Sequence, residues 1–393
     1  VLAIAPMICC VKNPAQNRKT HSKKYWEKNM KHAPRLHGLA AAITAALLGG
    51  SHIVDAATFQ RSDDEFINVG IAYRGSYSSI EDAAPSGKDR SNDFNTEEAR
   101  LYTNGKVHKY VSFELNLARN ATDNQNEILD AHVGIELNNY FNVWFGRFLP
   151  PASRASASAP AYPPTFDFPL AEQAPNRFGG RDDGTTLWGA AADQKLKYQL
   201  GIFKGREGTS NQADDLSFSG RLQYNFWDAE PGFYNLASYD GAKSILSVGS
   251  SYRTQKNGAG TEEKPGDYQY WNVDGRLEKP LADGAVIGAE ASYYHYDNDD
   301  TLDPLAPQGK GYFFTGSYAF GETVGIGKFQ PKFVYQKFDN DDLDDKSTRL
   351  DLGFSYLISG SNVRIDTFWF NQENDREKDF NGFKVLFHVV HFF

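Results

Sequence analysis

Nine basic side chains fall at positions where an alternating chain would turn them toward one polar face: Arg100, Arg147, Lys197, Arg221, Arg276, Lys332, Arg349, Arg364 and Lys384. Guanidinium and ammonium groups in rows offer several donors to an oxyanion, so such a face could line an anion path whose water supplies the remaining solvation. Glu114, Asp130, Glu136, Asp274, Glu290, Asp351 and Asp366 are interleaved with these cations. Many of the cations are therefore expected in cross-strand ion pairs that stiffen a wall rather than in contact with a solute. A second group, Arg154, Arg177, Arg181, Asp182 and Asp183, belongs to the longest irregular stretch, residues 149–183, which holds seven of the 17 prolines. Catalytic chemistry finds little support. There is no Gly-x-Ser-x-Gly elbow, and His132, His295, His388 and His391 have no evident nucleophile partner.

The elements that would position these groups are strands. From residue 57 onward, segments of about ten alternating residues are separated by turn chemistry. Strands are expected near 66–78, 97–106, 109–119, 127–137, 141–148, 184–193, 196–204, 215–227, 242–254, 267–279, 284–296, 310–320, 325–337, 346–358, 361–372 and 382–393. Their connections alternate between short turns (138–139, 193–194, 281–284, 321–322, 359–361) and long polar ones (82–95, 120–126, 205–214, 254–267, 297–308, 339–346, 373–379). That alternation is the pattern of a sixteen-stranded antiparallel transmembrane β-barrel, with periplasmic turns, extracellular loops and both termini on the short-turn rim. One short-side connection, 228–241, is long and is read as an elaborated turn.

The period of two assigns the faces. Val111, Phe113, Leu115 and Leu117 oppose Ser112, Glu114 and Asn116; Leu216, Phe218, Leu222 and Tyr224 oppose Ser217, Ser219, Arg221 and Gln223. Apolar residues should meet lipid and polar ones the lumen, since a soluble barrel of sixteen strands could not fill an apolar interior. Trp144, Trp227, Trp271 and Trp369 suit interfacial girdles. The 149–183 stretch follows the fifth strand and is thus the third long loop. Stiffened by proline, it is expected to fold inward and narrow the channel.

Mean hydropathy is −0.56, and no 18-residue apolar run follows the N-terminal region, so helical spans are not expected. Met30 opens a segment with a basic head (Lys31, His32, Arg35), an apolar stretch (39–48) and a small-residue site at Val54-Asp55-Ala56, the pattern of a signal peptide over 30–56. Residues 1–29 then read as an upstream extension and 57–393 as the barrel. Both cysteines, Cys9 and Cys10, precede it, which excludes thiolate metal sites and cysteine nucleophiles from the barrel. Its net charge of −15 makes nucleic acid an unsuitable partner. Acidic runs at 297–300 and 339–345 read as solvated loop tips rather than calcium sites, and no cofactor is expected.

The segments Glu98-Ala99-Arg100-Leu101, 111–117, Ile128-Leu129-Asp130-Ala131-His132-Val133-Gly134 and 143–151, with Ala229-Glu230-Pro231-Gly232-Phe233-Tyr234 before Ala242-Lys243, resemble in order the phosphate-selective porin O and P family. The resemblance implies an outer-membrane trimer of a Gram-negative bacterium that passes small hydrophilic solutes by passive diffusion, often selective for phosphate through channel arginines and lysines. Where that family commonly has Gly-Gln-Phe-Lys-Pro-Pro, this chain has Gly146-Arg147-Phe148-Leu149-Pro150-Pro151, so a positive charge is moved or replaced. A barrel with cation or general preference, and a sleeve around a periplasmic partner, are the competing readings. Expected partners are the bilayer, lipopolysaccharide, small anions, two further copies of the chain and the barrel assembly machinery, whose signal the terminal Phe393 resembles.

Overall fold

The computed structural model describes residues 57–120, 126–158, 164–172 and 180–391; the cysteines, the leader-like segment, Arg177 and Phe393 lie outside the described residues. A short strand β1 (Ala57–Ser62) precedes β2 (Glu65–Ile80), β3 (Ser91–His108), β4 (Val111–Asn120), β5 (Asn126–Glu136) and β6 (Asn142–Phe148). After the longest loop come β7 (Asp182–Ala191), β8 (Leu196–Phe203), β9 (Ser217–Asn225), β10 (Ile245–Gly260), β11 (Pro265–Pro280) and β12 (Val286–Asp297). The chain continues through β13 (Gly309–Ala319), β14 (Lys328–Asn340), β15 (Asp345–Ser359), β16 (Val363–Asn374) and β17 (Phe380–His391).

Each strand from β2 to β17 pairs antiparallel with its sequence neighbours, and β17 returns to β2 in the register Gly382↔Ile80 to His391↔Ile71. The ring is therefore a closed barrel of sixteen strands. Closure leaves no open edge, which a lipid-embedded sheet requires because no water is present to satisfy free backbone groups. β1 is an addition that alternation did not reveal. It pairs with β2 from Ala57↔Val69 to Gln60↔Phe66, taking over that edge where β17 stops.

The strands reach further than their apolar cores. β10 and β11 run to Gly260 and from Pro265, and β14 and β15 to Asn340 and from Asp345, so much of the polar sequence expected in loops 254–267 and 339–346 is paired strand. Backbone pairing beyond the bilayer is indifferent to side-chain polarity, which is why alternation ended before the ladder did.

Outward positions are apolar and inward ones polar. On β9, Phe218 and Leu222 are 51% and 55% exposed while Ser217, Arg221 and Gln223 are buried; on β4, Leu115 and Leu117 are exposed and Asn116 is buried. Only lipid makes that inversion favourable. Trp227, Trp271 and Trp369 lie on the outer face. Trp144 does not: it is buried in the lumen and donates its indole N–H to Glu136 Oε1 at 3.1 Å, because Phe145, 72% exposed, holds the outward position beside it. Leu222→Arg is expected to destabilise the barrel by about 2–4 kcal/mol, as charge on a lipid face does near the midplane. Urea unfolding in bilayers checks this, and an unchanged midpoint would contradict the face assignment.

Candidate channel constriction

Described residues of two segments, one from each rim, bond to inward-facing side chains of the wall. The first is the loop between β6 and β7, whose described residues are almost all buried. Pro150 and Pro151 at its start cannot donate to a ladder, so the chain leaves β6 and turns inward. Ser153 N–H donates to Tyr270 OH (3.1 Å) and Arg154 N–H to Asp274 Oδ2 (3.0 Å), both on β11. Further on, Pro164 O accepts from Thr315 Oγ1 (2.7 Å), and the Phe166 ring stacks on Phe368 of β16 with centroids 4.6 Å apart. Leu170 N–H donates to Gln336 Oε1 (2.6 Å), and Ala171 O accepts from Tyr296 OH (2.9 Å). Each contact gives an otherwise orphaned loop backbone group a partner from the wall.

The second segment is the connection between β9 and β10, residues 226–244, which is far more than a turn. Phe233 packs among Trp144, Phe148 and Phe203, with Trp188 beside them. Its carbonyl accepts from Gln199 Nε2 (2.6 Å), Asn235 bonds to Lys197 and Gln223, and Tyr239 N–H donates to Glu278 Oε1 (3.0 Å). Asp240 then accepts from the Ser361 backbone N–H (2.8 Å) in the turn after β15.

The segments meet at Arg154 and Glu230. The Arg154 guanidinium donates to Glu230 Oε2 and Oε1 at 2.8 and 2.6 Å, and to Leu236 O at 3.1 Å, with both charged side chains 1% exposed or less. Burial opposes the charge on Glu230, yet Arg154 outweighs it and holds the carboxyl down at about 2. In the same loop, burial pushes Glu172 up to about 8, with the Ser153 hydroxyl bonded to it.

The wall cations are paired, but mostly along strands. Arg100 pairs with Glu98, Arg276 with Glu278, Arg349 with Asp351 and Arg364 with Asp366. Residues two apart share a face, and an arginine is long enough to span them, so cross-strand partners are not needed. Two reach across an intervening strand: Lys384 of β17 over β2 to Glu97 of β3 at 2.9 Å, and Arg221 of β9 over β10 to Asp274 on β11 at 2.7 and 2.8 Å. Gly249 lies between them, and a Cβ there would stand 2.4 Å from the guanidinium. Lys332 lies over the Phe166 ring, 4.3 Å from its centroid, and Lys197 bonds to Asn235. Both therefore hold the crossing segments.

At the loop's return, Arg181 donates to Asp130 Oδ1 (3.1 Å), and Asp182 accepts from Arg253 (2.8 Å). Asp182 and Asp183 belong to β7, not to the loop, because they already pair with Phe148 and Arg147 of β6. Arg147 stands half-exposed at the rim, 4.0 Å from Asp183. Arg177 lies outside the described residues. Sequence reading overlooked Arg74, Arg253 and Glu278, although all sit in step with polar lumen residues of their strands, and quoted Glu98 only within a motif. It singled out Glu230 as part of a motif and gave it no partner.

Asp167, in the loop, is ringed by Arg74 (2.6 Å), Lys384 (3.2 Å) and Arg349 (3.5 Å), on β2, β17 and β15. Burial disfavours its charge, but Lys384, Arg74 and Arg349 together hold it well below the usual carboxylate range. A depressed folded-state value contributes stability that is complete above the unfolded value near 3.9 and fades as pH falls through the folded one. Asp167→Asn is therefore expected to cost about 3 kcal/mol at neutral pH. The difference from wild type should hold from about pH 5 to 8 and shrink only below about pH 4; denaturant titrations across that range measure it, and a difference that shrinks on going from pH 5 to 8 would contradict the arrangement.

Residues 67–236 match the family model described as phosphate-selective porin O and P. No curated protein sequence matches the chain. Among solved structures it is similar to an anion-selective porin from Comamonas acidovorans, at 13% identity and TM-score 0.56, over 82% of this chain and 99% of that one. It is also similar to the in-vitro folded OmpT of Vibrio cholerae in trimer form (13%, TM-score 0.52, 84% and 100%) and to the outer membrane channel DcaP of Acinetobacter baumannii (12%, 0.52, 85% and 100%). The first of these is a porin, the second an outer membrane protein and the third an outer membrane channel. The closed sixteen-stranded ring and its inverted faces are those of an outer-membrane porin, and within that ring the segment from β2 to the crossing turn matches the phosphate-selective porin O and P model.

Proposed function

We propose that the barrel passes small hydrophilic anions, phosphate among them, by passive diffusion, and that residues 57–393 work as a homotrimer after removal of a signal peptide over 30–56. The observation that carries the anion preference is a cavity of about 540 Å³ at the long-loop rim. Arg147, Arg181, Lys204, Arg206 and Arg253 line it against Asp182, Asp183 and Glu207. Each of the five has a carboxylate partner (Asp183, Asp130, Glu207, Asp303 and Asp182 in turn), so what an anion would meet here is a concentration of guanidinium and ammonium donors rather than an excess of positive charge. The acidic loops elsewhere act at longer range and are screened within about a Debye length of 8 Å at physiological salt. The name of the matched family and the anion-selective relative point the same way.

Within the lumen, paired charges act as a scaffold. Arg154 serves that scaffold rather than the solute, and the loop charges left for selectivity are those near Arg181. A sleeve around another protein would need a clear bore. Here the chain's own loop and turn cross it, which favours a channel.

In planar bilayers under a KCl gradient the reversal potential is expected to carry the anionic sign. Arg181→Gln and Arg253→Gln should each move it toward the cationic side while the channel persists. A cation-selective wild type would overturn the anion reading and leave the porin, and competition among phosphate, sulfate and chloride would then rank the solutes.

A further inference from the structure

The connection 226–244 is a strap that spans the barrel. Its Phe233 is caged by aromatic side chains of β6 and β7, whereas its Asp240 is fixed to the turn between β15 and β16, about half-way around a ring of sixteen strands. A segment anchored at both those places must cross the lumen. The other short-rim connections need no such length, running from residues 109–110 after β3 to 320–327 after β13.

The far anchorage is built in. Asp240 takes the Ser361 backbone N–H and hydroxyl, while Glu278 takes the N–H groups of Tyr239 and Gly241 (3.0 and 3.1 Å). Gly360 makes room for the clasp: a Cβ there would stand 2.3 Å from Asp240 Oδ2, and its φ of +54° suits glycine. Beside this end lies a cavity of about 300 Å³, open at the short-turn rim and lined by Asp240, Arg276, Glu278, Lys328 and Gln330. Asp240 is itself exposed. The strap, at Ser238 and Asp240, thus forms one wall of that cavity.

We propose that the strap is a second constriction, in which Asp240 is a specificity-determining residue at the outlet and Glu230 a positioning residue that fixes the constriction loop through Arg154. The proposal rests on the channel reading. A solute that has passed the outer cavity leaves beside the strap, where the carboxylate of Asp240 opposes anions and Lys328 attracts them. Releasing the clasp widens the outlet, and changing the charge at position 240 changes what leaves.

Residues 57–393 contain no cysteine, so a single introduced thiol can be addressed cleanly. Asp240→Cys channels in planar bilayers should conduct about twofold more than wild type, as a widened pore does. Modification with a sulfonate-bearing thiosulfonate should then shift the reversal potential toward cations, and with an ammonium-bearing one toward anions. Glu230→Gln should raise conductance, whereas Glu230→Asp, which keeps the carboxylate opposite Arg154, should leave it near wild type, a contrast that simple loss of stability does not produce. Channels indifferent to both reagents, or shifted alike by both, would overturn this proposal alone. Absence of any channel in the unmodified wild type would overturn the reading beneath it.

Discussion

The interior depends on one buried ion pair. Arg154 and Glu230 come from segments that enter through opposite rims, and each is the other's nearest buried counter-charge, with Glu290 3.8 Å from the guanidinium and Gln223 donating to the carboxylate. Breaking such a pair by removing one partner costs about 3–5 kcal/mol, whereas forming it adds little over a packed apolar contact. Its value is therefore positional. The Arg154 guanidinium takes its shortest bonds from the strap, at Glu230 and Leu236 O, with Ser247 and Glu290 of the wall beside it. Loop and strap consequently fix each other, and the wall hydrogen bonds to Tyr270, Thr315, Gln336 and Tyr296 follow from that placement.

The wall provides the rest through spacing. Arginine and carboxylate two residues apart on one strand neutralise each other without help from neighbours, so the barrel carries many charges inward at modest cost. Where no partner stands on the same strand, as for Arg221, a glycine on the intervening strand opens a passage to Asp274. This arrangement leaves a polar interior with little net charge, and the outer cavity likewise gathers its cations beside carboxylate partners. Charge count alone, −15 over residues 57–393, misleads about such a channel because most of those charges are paired or face bulk water.

The barrel was legible because its determinants are local. Alternation located the sixteen strands of the ring and the faces of residues such as Leu222 and Arg221, and the short and long connections located the rims. The interior was less legible. Trp144 looks like a girdle residue until Phe145 is seen to hold the outward position, and Asp182 looks like loop until its pairing with Phe148 is known. Strand β1 carries no burial pattern at all. The strap left one usable sign, a connection too long for its rim that contains Glu-Pro-Gly-Phe-Tyr. Its partner Arg154 lies 76 residues away, and no periodicity encodes a pairing at that distance.

The most direct test is the single-channel current of the wild-type protein in a planar bilayer. A barrel crossed by a loop and a strap that lock each other should open in discrete steps, with a conductance well below that of an unobstructed sixteen-stranded bore. Steps as large as such a bore passes, or a sealed barrel with no current, would contradict the account.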